Sequence, residues 1–236
     1  MYYLNQFIFG IFPYIAASIF FLGSLIRFDT NQYSWKSESS QLLYPRLLRM
    51  GNILFHIGVL GLFFGHLVGL LTPVFVWDTL GISHETKQLT AMIAGGIMGT
   101  LALIGLIMLI YRRFSSARLL ANSTWRDKLV LIWLLITLCL GLGTIHVSAH
   151  HLDGEEMISL MQWAQHIVTF RSGAADIIAH THPIFKLHLF MGMSVFVIFP
   201  FTRLVHIWSG FGALVYLKRQ ASWSEADVIK QLLRTI

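Results

Sequence analysis

Two apolar segments of the chain carry two histidines each. His56 and His66 lie within the run 51–71, and His188 and His206 flank a second apolar run. An imidazole in hydrocarbon leaves a donor and an acceptor unpaired, so it usually faces a polar partner, a cavity or a metal ion. For any one of these residues, a hydrogen bond to a neighbouring helix is the simpler interpretation. Four of them on two segments indicate a shared function.

The composition is that of an integral membrane protein. Of the 236 residues, 56% are apolar and 12% are charged, and the mean hydropathy is +0.67. Because about 20 apolar residues cross a hydrocarbon core of about 30 Å, the sequence predicts an all-α bundle of five transmembrane helices. These helices are expected near residues 3–26, 51–71, 89–111, 129–149 and 185–208. Asn5, Gln6 and Pro13 interrupt the first run, which favours a retained helix over a signal peptide.

The distribution of basic residues predicts the orientation. Of the 17 Lys and Arg residues, all but three fall in the loops 27–50 and 112–128 or after residue 202. By the positive-inside rule, the N-terminus is outside and the C-terminus is cytoplasmic. This asymmetry matters more in a membrane protein than the formal charge of +6, which therefore does not indicate a nucleic-acid partner. Residues 1–208 form the predicted transmembrane domain, and 209–236 form a cytoplasmic tail, with Ser224 as a possible helix cap, that is expected to contact a partner.

The topology predicts how the four histidines pair. The second and fifth helices are antiparallel, so His66 is expected level with His188 on the outer side, and His56 level with His206 on the inner side. On ideal helices the first two lie about 15 Å apart and the last two about 27 Å apart. A bend at Pro200, tilted helices or leaning side chains are needed to reconcile these spacings.

Two facing imidazoles in a membrane favour one cofactor. Zinc or copper sites need further ligands, and no cysteine or intramembrane carboxylate is available to complete them. Two imidazoles are a natural axial set for a low-spin haem iron, which then transfers electrons and has no open position for substrate. The single Cys139 also excludes an internal disulfide and an Fe–S cluster ligated by cysteines of this chain. The sequence therefore predicts two b-type haems, each held between the second and fifth helices.

Two further features remain open at this point. Gly61, Gly65 and Gly69 recur every four residues, which is typical of helix packing but also allows a flat group to approach. The remaining histidines all fall on the predicted outer side, where a solvated loop is favoured over a metal site at His146 and His150. They are His84, His146, His150, His151, His166, His180 and His182.

Several stretches together resemble the gamma subunit of respiratory nitrate reductase, a membrane cytochrome b. The similarity runs from the start to about residue 209. It rests on Pro13-Tyr-Ile-Ala, Asn52-Ile-Leu-Phe-His-Ile-Gly-Val-Leu-Gly, Gly65-His66, Leu71-Thr-Pro, Lys87-Gln, Ala94-Gly-Gly, Trp163-Ala-Gln, Leu187-His-Leu and Phe199-Pro-Phe-Thr-Arg-Leu-Val-His-Ile-Trp208.

The resemblance implies a bacterial inner-membrane protein that oxidises quinol near the outer leaflet. Electrons would pass through two bis-histidine haems to a cytoplasmic Fe–S beta subunit and a molybdenum alpha subunit. Neither of those partner cofactors would bind to this chain. The family's haem ligands fall on His56, His66, His188 and His206, and its quinol-site lysine falls on Lys87, with Gly65 assigned beside it.

Two of the basic residues could also have a purely structural role, judged by position alone. By position alone, Lys87 is more typical of a lysine that extends its ammonium to the membrane interface, and it is the resemblance that favours the quinol site. Arg203, three residues before His206, would share a helical face with it and reach a haem propionate, or would serve as an inside-positive anchor. Two functional alternatives also stay open: a cytochrome b of formate dehydrogenase or hydrogenase type, and a haem-free anchor or transporter.

Overall fold

The computed structural model describes residues 2–31, 45–121 and 123–208, and within these ranges it contains helices and no strands. Five helical segments are long and apolar enough to cross a membrane, which confirms the predicted number of spans. They are Tyr2–Thr30, Arg46–Leu71, His84–Ser115, Trp125–Ser148 and Pro183–Phe201. The predicted cytoplasmic tail, including Ser224, lies outside the described residues.

The helices are numbered here in chain order. They are α1 (Tyr2–Gln6), α2 (Phe12–Asn31), α3 (Pro45–Leu71), α4 (Val74–Thr79), α5 (His84–Ser115), α6 (Ala117–Ala121), α7 (Trp125–Ser148), α8 (Glu155–Val168), α9 (Ala174–Ile177) and α10 (Pro183–Ile198). A π-helical turn, Phe7–Ile11, joins α1 to α2. Two 3-10 turns, Phe199–Phe201 and Arg203–Val205, follow α10.

Helix capping extends two spans beyond their apolar runs. The Ser83 hydroxyl accepts a hydrogen bond from the Thr86 amide, so α5 begins at His84 instead of near residue 89. Thr124 and Asp127 form a reciprocal capping box that starts α7. Polar residues in these first turns are stabilised by backbone hydrogen bonds, which a count of apolar residues does not reveal.

The four long helices α3, α5, α7 and α10 pack in sequence, and α2 packs on α10. The α3 and α5 backbones approach closely at glycines. A Cβ on Gly58 would lie 2.4 Å from the Ala102 amide nitrogen, and one on Gly105 would lie 2.3 Å from that of Phe55. Side chains at these positions would force the two helices apart, so glycine is what allows α3 and α5 to pack this closely.

The segment between α7 and α10 contains much of the best-buried core. The apolar pattern predicts an outer loop here, but α8 and α9 fold over the first part of the first span. Their buried members are Trp163, Ala164, Ala174, Ala175 and Ile178, which pack with Phe9, Ala16 and Met193. We call this end of the bundle the α8 end. The opposite end, where α2 and α5 finish and α7 begins, is called the basic end.

Pro13 interrupts the first span, and a neighbouring helix compensates. Proline has no amide hydrogen, so the carbonyl of Phe9 lacks its regular α-helical donor. The indole nitrogen of Trp163 donates to that carbonyl at 2.9 Å. This bond ties α8 to the irregular part of the first span.

The fifth predicted span, 185–208, is not one continuous helix. Regular α-helix ends at Ile198, Pro200 lies in the first 3-10 turn, and Thr202 has an extended backbone conformation. Proline cannot continue the helical hydrogen-bond ladder, so the chain changes direction before His206.

Candidate functional site

The structure brings the four histidines together in two pairs. The ring centroids of His66 and His188 lie 6.2 Å apart, and those of His56 and His206 lie 6.0 Å apart. Each pair takes one histidine from α3. The other is His188 on α10 or His206, which follows α10. The first pair lies toward the α8 end and the second toward the basic end.

All four rings present the same nitrogen to the protein backbone. The Nδ1 atoms of His56 and His66 lie 2.8 and 2.7 Å from the carbonyls of Asn52 and Leu62, one turn earlier on α3. Those of His188 and His206 face the carbonyls of Thr137, at 3.0 Å, and Arg203, at 2.7 Å. Because a carbonyl only accepts, each Nδ1 carries the hydrogen and donates. The lone pair of each ring is then on Nε2, the nitrogen that would bind a metal.

The ring separations fit one metal atom between each pair. Two metal–nitrogen bonds of about 2 Å, plus about 1 Å from each nitrogen to its ring centre, place trans imidazole centroids about 6 Å apart. The described residues include no cluster of three or more His, Cys, Asp or Glu side chains that would complete a protein-only metal site. Each pair would therefore hold one iron through its two imidazoles, and a porphyrin would supply the remaining donors.

The three glycines that recur every four residues on α3, which we call the α3 stripe, divide into two kinds: Gly61, and Gly65 with Gly69. A Cβ on Gly61 would lie 2.6 Å from the sulfur of Met98, so this glycine serves helix packing. A Cβ on Gly65 or Gly69 would meet no atom of the described residues within 4 Å, and the same holds for Gly192 on α10. All three positions are open within the described residues; Gly65 precedes His66 in the chain, and Gly69 and Gly192 lie about one turn from His66 and His188.

The α7 helix supports His188 although it carries none of the four histidines. Thr137 supplies the carbonyl that accepts from His188, and Gly141 lies one turn further along α7. A Cβ on Gly141 would lie 2.8 Å from Cε1 of His188. The absence of a side chain at Gly141 therefore lets the imidazole reach α7. The role of Gly141 cannot be predicted from the sequence, because a lone glycine in an apolar helix gives no specific signal.

The irregular segment between the end of α10 and His206 is held by Arg27 of α2. Its Nη1 atom donates to the carbonyls of Pro200 and Thr202, at 2.6 and 2.8 Å. Both carbonyls lie where the helical ladder has ended, so a donor from another helix satisfies them. In the sequence Arg27 contributes only to the charge pattern, and nothing there predicts this contact.

Arg203 is bound to α7 through its side chain and to His206 through its backbone. Its Nε lies 2.6 Å from Oδ1 of Asp127, and its Nη2 donates to Oδ2 at 2.9 Å. The Arg203 carbonyl accepts from His206. The expectation that Arg203 shares a helical face with His206 stays a prediction; the residues between them form a 3-10 turn, in which positions three apart align. Its predicted contact with a haem propionate remains a prediction.

Lys87 is buried and lies in a small pocket between α4, α5 and α8. Its ammonium lies 4.7 Å from the centroid of the Trp77 ring and donates to the sulfur of Met161. This burial does not fit the alternative of a lysine extended to the membrane interface. Gly65, assigned with Lys87 to one site, does not line this pocket.

The histidines at the α8 end form no larger group. His146 and His150 have ring centroids 4.8 Å apart, and no third His, Cys, Asp or Glu in the described part of the chain joins them. His84 lies 3.3 Å from a carboxylate oxygen of Asp78.

Comparison with known proteins gives the family. Residues 5–224 match the family described as nitrate reductase gamma subunit. The chain is 49% identical over 207 residues to the respiratory nitrate reductase 2 gamma chain of Escherichia coli (strain K12), covering 88% of this chain and 91% of that one. The respiratory nitrate reductase 1 gamma chain of the same strain is 47% identical over 209 residues, covering 89% and 92%.

A more distant relative has a similar length. The nitrate reductase gamma chain of Bacillus subtilis (strain 168) is 36% identical over 206 residues, covering 87% of this chain and 92% of its own. The family match also continues to residue 224, further than the end near 209 expected from the sequence. The chain therefore belongs to the nitrate reductase gamma subunit family.

Proposed function

We propose that this chain is the membrane cytochrome b subunit of a respiratory nitrate reductase and binds two haems. His66 and His188 would hold one haem, and His56 and His206 the other. The observation that carries this proposal is the two histidine pairs, each with ring centroids about 6 Å apart and with Nδ1 of every ring facing a backbone carbonyl. The family membership supports the same conclusion.

The arrangement suits electron transfer across the bilayer. When bound, the haems supply one-electron redox chemistry without an open coordination position for substrate. The histidines would hold the two haems at different depths, because His56 and His66 are separated by ten residues, about 15 Å, on one helix. The Nδ1 hydrogen bonds fix the tautomer and orientation of each ligand.

We further propose that Lys87 binds the quinol that supplies the electrons. Its ammonium is buried at the α8 end, where it offers hydrogen-bond donors to a quinol oxygen and favours negative charge that develops as a proton leaves. Gly65, with open space above its backbone near His66, would let the quinol ring or haem edge approach. The cation also needs a favourable partner when no quinol is present, and the Trp77 ring provides one.

The orientation and the partners form part of the proposal. The basic end would face the cytoplasm by the positive-inside rule, and the α8 end would face outside, so quinol oxidation would release protons outside. Electrons would pass at the basic end to an Fe–S beta subunit and then to a molybdenum alpha subunit. The names of the relatives favour these partners over those of a formate dehydrogenase or hydrogenase.

Spectroscopy of the purified complex tests the proposal. Mild detergent extraction should yield two b-type haems per copy of this chain, both reduced by a quinol analogue. Intact-complex mass spectrometry should identify nitrate reductase alpha and beta subunits. A complex without reduced b-type bands would reject the haem assignment, and copurification with a formate dehydrogenase or hydrogenase would reject the assigned partners.

A further inference from the structure

The two helices that carry the histidines are supported differently. His56 and His66 are oriented by α3 itself, because each donates to a carbonyl four residues earlier. His188 donates to a carbonyl of α7, and His206 donates to Arg203, which is held by α7. The two histidines on α3 are therefore oriented by their own helix. His188 and His206 instead depend on a third helix, α7.

At the α8 end, this dependence is a matter of backbone access. In α7, the amide of Gly141 is the regular helical partner of the Thr137 carbonyl, so His188 must approach that carbonyl from the side. A side chain at position 141 would occupy the approach, since its Cβ would lie 2.8 Å from Cε1, 3.3 Å from Nε2 and 3.4 Å from Nδ1 of His188. The site thus requires glycine at this position.

At the basic end, the support passes through an ion pair. Asp127 is only 4% exposed, and both of its carboxylate oxygens contact the Arg203 guanidinium. Such two-point pairs are directional and stronger than neutral hydrogen bonds. Asp127 is itself fixed by the capping box with Thr124. The first turn of α7 therefore determines where the Arg203 carbonyl lies, and that carbonyl orients the His206 ring.

We propose that α7 is the positioning helix for both haems: Asp127 positions His206 through Arg203, and Gly141 with the Thr137 carbonyl positions His188. This inference rests on the proposed function, in which these histidines are haem ligands. Asp127 and Gly141 touch no reacting group and act only through the ligand orientation. Each should therefore affect one haem and leave the other unchanged.

The crossed effects of two substitutions test this. In the detergent-solubilised complex, we expect Asp127→Asn to change the midpoint potential and low-temperature EPR signal of the His56–His206 haem alone. We expect Gly141→Ala to change those of the His66–His188 haem alone, or to remove that haem while the other remains. A tenfold change in the relative affinity for the two oxidation states corresponds to about 59 mV, and we expect shifts of about this size.

Matched controls separate positioning from general disturbance of α7. Trp125→Leu changes an exposed side chain in the same first turn of α7 and leaves the capping box and both ion-pair partners in place. Gly143→Ala adds a methyl group that faces only Cδ1 of Ile184, at 2.9 Å, the flexible end of a side chain. Both controls should leave the two EPR signals and potentials as in the wild type.

A second comparison separates positioning from a simple charge effect. Loss of a nearby negative charge raises a haem potential and loss of a positive charge lowers it, so charge alone predicts opposite shifts for Asp127→Asn and Arg203→Gln. Positioning predicts the same EPR change in both and no further change in the double variant. If Asp127→Asn does not accumulate, Arg203→Lys, which keeps the charge but loses the two-point geometry, is judged by the same EPR criterion.

The outcomes that reject the inference are distinct from those that reject the function. Opposite shifts that cancel in the double variant would reject positioning by Asp127. Changes in both haems from either substitution, or in neither haem, would reject the assignment to α7. A wild-type complex without two b-type haems would instead reject the proposed function.

Discussion

The two histidine pairs have nearly the same ring separation but are built from different structures. His66 and His188 both lie in regular helix, on α3 and α10. In the other pair, His56 lies in regular helix, whereas His206 follows two 3-10 turns and an extended residue, Thr202. The His66–His188 pair depends on how α3 and α10 are placed in the bundle. The His56–His206 pair also depends on how the short irregular segment after α10 folds.

This difference resolves the mismatch between the two histidine spacings. His56 and His66 are ten residues apart, and α10 also ends ten residues beyond His188, at Ile198. The helix therefore advances by the same distance, about 15 Å, from His56 to His66 on α3 and from His188 to Ile198 on α10. The chain from Phe199 to His206 does not continue along that axis, so His206 can lie level with His56. The break at Pro200 is what allows a second pair to form.

The largest effect is expected from the histidines themselves. Without one axial ligand the haem loses half of its protein attachment, so each alanine substitution should remove one haem. His66→Ala and His188→Ala should remove the haem at the α8 end, and His56→Ala and His206→Ala the other one. Haem counts and reduced spectra of the four variants measure this. Loss of the same haem from His56→Ala and His188→Ala would show that the pairing is wrong.

A change at Lys87 should stop electron entry without disturbing either pair. We expect Lys87→Met to keep both haems but to lower quinol-dependent haem reduction by about 100-fold, the scale of losing one oriented donor at a developing charge. Stopped-flow reduction by a quinol analogue is the measurement. Lys186→Met, at the same end, is the control and should behave as the wild type. A wild-type rate in Lys87→Met would remove it from the quinol site.

The irregular segment should be the weaker support. Arg27→Met leaves the carbonyls of Pro200 and Thr202 without this donor, at a cost of about 1–3 kcal/mol. We expect partial loss of the His56–His206 haem and full retention of the other, measured by haem content and thermal release of each haem. Arg118→Met, an exposed residue of α6, should change neither. Equal loss of both haems would show that Arg27 stabilises the whole bundle instead.

The sequence predicted the features that depend on composition and helix geometry. Apolar runs indicated five spans, and antiparallel topology placed His66 near His188 and His56 near His206. It did not predict α8 and α9, because their helices are short and partly polar, and their burial depends on contacts such as Trp163 with Phe9. It also missed the roles of Arg27, Asp127 and Gly141, since their partners are distant in the chain.

At Pro200 the sequence predicts the bend but not the direction of the chain after it. Proline predicts a bend, because it removes a donor from the helical ladder. Its sequence position does not give the direction of the chain after the bend. Arg27 and the Asp127–Arg203 ion pair determine that direction, and these contacts are visible only in the folded structure.

The smallest effect is expected at Gly65, where the α3 stripe faces open space. Alanine favours helix over glycine by about 1 kcal/mol, and its methyl group would meet no described atom within 4 Å. Gly65→Ala should therefore slightly raise the thermal stability of the protein.

The functional cost of Gly65→Ala should fall on one pair only. The methyl group enters the space proposed for the haem edge or quinol, so we expect a modest shift in the potential of the His66–His188 haem or in the KM for quinol. Gly58→Ala is the contrasting variant, because its methyl group would overlap the Ala102 backbone and cost about 1–3 kcal/mol. Since α3 carries one histidine of each pair, Gly58→Ala should weaken the binding of both haems. If Gly65→Ala weakened both as well, the open space at Gly65 would not belong to the His66–His188 site.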